Sequence, residues 1–211
     1  MAGTIKSLGV TIDKALTFNT HVDNVCKAVC FHTRSLRHVR RFVDADVANY
    51  IASSMVGSRL DYCNSLLYET SASSIARLQR LQNSLARIVT LTPKRHHITP
   101  VMAGLHWLPI AARINFKIAA LTFKILTTGQ PDSLSPLIQR HVTIRSLRST
   151  SRIMLQQRKT RTDIGSRAFS HAAPAVWNSL PQEIVEDLSI TLDTFKRRLK
   201  AYWFKRSYTT Q

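Results

Sequence analysis

Apolar positions along this chain recur mostly at the helical period, and β-type patterning is confined to the start. Ile5–Ile12 is short, rich in β-branched residues and broken by Gly9, which predicts a strand or half of a hairpin. After Asn19 the pattern turns helical: Val22, Val25, Cys26, Val29, Thr33 and Leu36 share one face. Asp44 is placed to cap a second helix, expected to be buried through Val47, Ile51, Met55 and Leu60. Ser71 or Ser73 can cap a third, with a core stripe of Leu78, Leu81, Leu85 and Ile88. Pro93 ends this stretch, and Thr92–Thr99 is the best candidate linker.

A second helical region follows. Pro109 suits the first position of a helix striped by Ile110, Ile114, Ile118, Leu121 and Ile125, and Gly129-Gln130-Pro131 should end it. Periodicity fades between Ser133 and Gly165. Ala168–Ser179 reads as a short helix interrupted at Pro174. Ser189 or Thr191 opens a last helix with Leu192, Phe195, Leu199, Tyr202 and Trp203 inward. The predicted fold class is mainly α: a helical bundle, then a second helical region, with a minor β element near the N-terminus.

Charge changes the picture most. Thirty Lys and Arg against 12 Asp and Glu give a net charge of +18, which favours polyanionic partners, nucleic acid first and an acidic membrane surface second. The cations form stripes beside the apolar ones. Lys27, Arg34 and Arg41 recur every seventh residue, with Arg37 beside them; Arg77, Arg80 and Arg87 mark the third helix; Arg113, Lys117 and Lys124 mark the next. Lys196, Arg197, Arg198 and Lys200 lie on the last helix, and Arg145, Arg148, Arg152, Arg158, Lys159 and Arg161 fill a segment of weak helical pattern. Solvated faces usually mix both signs, so single-sign stripes repeated on successive helices predict a surface that tracks phosphates. Read as cations without aromatic neighbours, these positions would grip phosphate without reading bases.

Several chemistries are disfavoured. From Thr70 to Thr162 the only carboxylate is Asp132, against fifteen Lys and Arg, too few acids for two-metal phosphoryl transfer or paired-carboxylate hydrolysis. Asp44/Asp46 and Glu183/Glu186/Asp187 are expected at helix starts, where they complement the dipole. Asp61 is expected to pair with Arg59 or to cap locally. Cys26 and Cys30 are one helical turn apart, but His32 points elsewhere and no second pair completes a zinc site; neither metal nor cofactor is expected. His106 and the serines lack the glycines of a nucleophile elbow. Trp107 and Trp177 are read as aromatic anchors that fix helix starts against the core. Three cysteines make no disulfide framework, no signal peptide is visible, and no apolar run approaches roughly 18 residues. An intracellular protein without a transmembrane segment is expected.

Four blocks carry a family resemblance: Val56–Tyr68 (VGSRLDYCNSLLY), with Lys6–Asp13 (KSLGVTID), Leu105–Ile110 (LHWLPI) and Ala168–Pro181 (AFSHAAPAVWNSLP). In this order and spacing the chain resembles the C-terminal third of a LINE-type (non-LTR) retrotransposon reverse transcriptase of the jockey-like kind. The resemblance implies that residues 1–18 are the terminal palm strand region, 19–92 a thumb-like helical bundle, and 93–211 a C-terminal nucleic-acid-binding region. It implies element RNA, RNA–DNA hybrid or target DNA as partners. The catalytic Asp-Asp turn of such polymerases would lie upstream of Met1, so the chain is expected to be a truncated copy with no polymerase activity by itself. The alternative is a stand-alone basic helical adaptor for a partner protein or an acidic membrane surface.

Overall fold

The computed structural model describes residues 3–141 and 153–209. It is 66% helical, with one small antiparallel sheet near the N-terminus, so the mainly-α expectation holds. The sheet is a complete hairpin of β1 (Thr4–Ser7) and β2 (Val10–Asp13), with Ile5 opposite Ile12. Leu8 and Gly9 both take positive φ (45° and 81°), the two-residue turn whose twist matches the flanking strands. Val10 and Thr11 of β2 are buried, whereas all of β1 is exposed.

Two compact units divide the chain: residues 1–114 with 204–211, and residues 115–203. In the first, α1 (Asn19–Val39) packs on α4 (Ala72–Thr90). The face of α1 read from the sequence is the inward one: Val22, Val29, Thr33 and Leu36 are buried, Val25 and Cys26 half-buried. Between them run α2 (Ala45–Ile51), a π-helical turn (Ala52–Gly57) and α3 (Ser58–Asp61). Asp44 caps α2 by accepting from Val47 N at 2.7 Å, and Ser71 caps α4 by accepting from Ser74 N at 3.3 Å.

The expected core stripe of the second helix is only partly the buried one: Leu60 is buried and Ile51 half-buried, as read from the sequence. Val47 and Met55 are exposed (44% and 42%), and the buried row is Ala48, Ala52, Val56 and Leu60. Val47, Ile51 and Met55 on one side and Ala48, Ala52 and Val56 on the other both have a four-residue spacing and lie side by side on the helix. Small side chains at 48 and 52 let neighbouring backbones approach closely, which the larger residues would prevent.

Helices α5 (Ile98–Gly104) and the start of α6 (Ile110–Thr128) also belong to the first unit, so the compact division does not fall at residue 92. Polar side chains stitch this stretch down. Gln82 Nε2 donates to Leu108 O at 2.9 Å, Ile110 N donates to Gln79 Oε1 at 2.9 Å, and Trp107 Nε1 donates to Asn49 Oδ1 at 3.1 Å. Trp107 is buried, an anchor as read from the sequence. Pro109 sits one position before the helix and supplies its first acceptor, for Arg113 N.

The second unit contains the rest of α6, α7 (Asp163–Arg167), α8 (Phe169–Asn178), α9 (Gln182–Val185) and most of α10 (Leu192–Tyr208). Gly129, at φ 71°, ends α6, and Thr191 caps α10 by accepting from Thr194 N. Its core stacks Phe123 on Phe195 (centroids 4.1 Å apart), with Trp177 beyond at 6.0 Å. Trp177 Nε1 donates to Ile153 O, and Asn178 exchanges two hydrogen bonds with the backbone of Leu155, each 2.9 Å. Pro174 lies inside α8 without interrupting it. Burial of Val176 and Trp177 outweighs the one lost backbone hydrogen bond.

Candidate nucleic-acid interface

The predicted cations divide into those turned inward and those left in solvent. Arg77, half-buried, hydrogen-bonds Asp23 of α1, which holds its guanidinium even more firmly protonated. Arg87 donates to Pro93 O at 2.7 Å and His96 O at 2.8 Å, fastening the loop after α4. Arg113 pairs with Asp61 at 2.7 Å and donates to Leu108 O at 2.9 Å. Asp61 therefore partners Arg113 rather than Arg59, whose Nη1 donates to Met55 O. A basic stripe beside an apolar one is not automatically free: on α4, Arg80 is the exposed member. Reversing Arg77 and Arg87 would therefore break internal contacts.

Helix α1 is different. Its buried residues Val22, Val29, Thr33 and Leu36 face inward, while Lys27, Arg34 and Arg37, with Arg41 just beyond its C-terminus, are exposed to solvent. Among the described residues none of these four is in an ion pair. The helix continues as a 3₁₀ turn, Arg40–Phe42. Arg40 points to the buried side, where Nε donates to Val89 O and Nη1 to Val43 O, each at 2.7 Å. Sequence reasoning missed Arg40; its helical phase, shared with Val29, Thr33 and Leu36, was the available signal. The reading that the cations lack aromatic neighbours also fails here. The Arg41 guanidinium carbon lies 4.6 Å from the centroid of the Phe42 ring, and Phe42 and Phe31 are 73% and 66% exposed.

In the second unit Lys117 and Lys124 of α6 are exposed, as are Arg158, Lys159 and Arg161. Arg145, Arg148 and Arg152 lie outside the described residues. On α10, Arg197, Arg198 and Lys200 are exposed, while Lys196 approaches Asp193 at 3.4 Å.

Other chemistry is sparse among the described residues. No group of three or more His, Cys, Asp or Glu is placed to hold a metal ion. Burial pushes the Cys26 thiol up, away from the reactive thiolate. The carboxylates expected at helix starts are only partly so used: Asp44, Asp46 and Glu183 are, but Glu186 follows α9 and Asp187 accepts from Ser189 N and Oγ. Concavities of the first unit include a small cavity and an open groove. A cavity of about 100 Å³ lies between the π turn, Gln82 and Trp107 and is bordered by the Asp61–Arg113 pair. An open groove of about 400 Å³ runs past His21, Asn24, Arg59 and Tyr62. Neither brings two carboxylates together. No helix among the described residues is long and apolar enough to cross a membrane. No protein family, curated protein or solved structure matches the chain.

Proposed function

We propose that this chain binds nucleic acid through basic helix faces, as a segment equivalent to the palm end, thumb and C-terminal region of a non-LTR retrotransposon reverse transcriptase. The observation that carries the reading is the solvent face of α1, where Lys27, Arg34, Arg37 and Arg41 are exposed without carboxylate partners. Cations left unneutralised along a helix attract a phosphate backbone, and each phosphate neutralised releases counterions. Element RNA, RNA–DNA hybrid and DNA all fit, because phosphate contacts carry no sequence. By itself the chain would not extend a primer, since two-metal phosphoryl transfer needs clustered carboxylates.

The test is a salt titration of binding to two unrelated duplexes. Four phosphate contacts give a log–log slope of about −3.6, a loss of roughly 150-fold between about 50 and 200 mM salt. Changing Lys27, Arg34, Arg37 and Arg41 together to Glu should abolish that contribution equally on both sequences and leave the helical circular dichroism unchanged. A shallow slope in the wild-type chain, or full binding by the fourfold variant, would overturn the assignment.

A further inference from the structure

The solvent face of α1 holds more than charge. At 3.6 residues per turn, Lys27, Phe31, Arg34, His38 and Arg41 fall within about a quarter turn of one another, and Phe42 follows at its edge. All six are exposed, on the side away from the buried row that ends in Arg40. The two aromatic rings stand roughly 16 Å apart along the axis, with cations between them. A duplex buries its bases, so aromatic rings add nothing to phosphate contact with it. Unpaired bases offer π faces, and cationic tracks interleaved with aromatic rings are what single-strand binding uses.

We propose that this face binds single-stranded nucleic acid, with Phe42 stacking on an unpaired base while Arg41 and its neighbours hold the adjacent phosphates. The proposal rests on the nucleic-acid reading above and adds a preference for strand state. Arg41 lies against the Phe42 ring and so keeps a cation beside the stacking site. With 73% of Phe42 in solvent, the residue contributes little to the core and is open to a ligand. The shared ligand chemistry is a flexible polyanion with exposed bases, RNA or DNA.

The experiment compares full-length wild-type chain, Phe42→Ala and Phe42→Trp on four ligands of about 12 nucleotides: oligo(dT), oligo(U), an abasic oligodeoxynucleotide, and a duplex. Phe42→Ala should weaken oligo(dT) and oligo(U) roughly 5- to 100-fold, leaving the abasic strand and the duplex unchanged. Phe42→Trp should restore the loss. The salt slope should be the same in all three proteins, because the number of phosphates held does not change. The dT and U arms separate DNA from RNA. Equal losses on the abasic strand, or no loss on any ligand, would overturn the stacking role while leaving phosphate binding in place. If wild-type protein bound none of the four at low salt, the underlying nucleic-acid reading would fall as well. If Phe42→Ala instead lost binding to phosphatidylserine vesicles and kept oligonucleotide binding, the face would be a membrane surface and the proposal overturned.

Discussion

Replacing Arg40 with Ala should cost the protein far more than replacing any neighbouring arginine. Arg40 is 8% exposed, and its guanidinium donates to Val89 O and Val43 O, both at 2.7 Å. Val89 sits in the last turn of α4, whose final carbonyls have no helical partner. Two others in that turn are already satisfied: Thr92 N donates to Arg87 O, and Leu91 N to Ile88 O. The Val89 carbonyl depends on Arg40. Hydrogen bonds from a charged donor contribute about 1.5–3 kcal/mol each, and a cation at a helix C-terminus adds roughly 0.3–1 kcal/mol. Since Val89 itself is wholly buried, water cannot replace the lost donor. A total of about 3–7 kcal/mol follows, a large share of the roughly 5–15 kcal/mol that holds an ordinary domain. Urea unfolding by far-UV circular dichroism, with hydrogen exchange at the end of α4, reads it directly. Arg40→Lys keeps the charge but cannot reach both carbonyls, and should recover part of the loss. Arg37→Ala, an exposed control, should change stability by less than about 0.5 kcal/mol. Equal costs for Arg40→Ala and Arg37→Ala would refute this account.

Two further outcomes concern stability. His21 is buried and its Nδ1 accepts from Thr11 N at 3.4 Å; burial holds its pKa below the usual 6.5. The unfolded chain then takes up the proton first, so this contribution is complete above about pH 6.5 and declines as pH falls through it; His21→Asn, which keeps an acceptor, should flatten thermal melts across that window, and an unchanged pH profile would exclude His21 as the source. Leu91 ends α4 in the left-handed region at φ 55° with its side chain 65% exposed; Leu91→Gly should raise stability by about 0.5–1 kcal/mol in the same urea assay, and a loss would show that the Leu91 side chain contributes more than its strained backbone costs.

The helical period and the caps at Asp44, Ser71 and Thr191 depend on residues a few positions apart, so the sequence by itself determined them. The inward faces of α1 and α4 and the anchoring of Trp107 and Trp177 were legible for the same reason: large apolar side chains at one phase of a helix have one low-energy side. Only tertiary structure decided which of two adjacent rows on α2 is buried, because the choice of Ala48 and Ala52 over Val47 and Met55 depends on how closely other helices approach. It also decided which cations are structural. Arg40, Arg77 and Arg113 find their acceptors at Val89, Asp23 and Asp61, roughly fifty residues away in the chain. Helical phase alone sets Arg40 apart, and nothing local distinguishes Arg77 or Arg113 from Arg37 or Arg41. A charge left in water and a charge that locks a helix end look alike until the fold brings the acceptor to it.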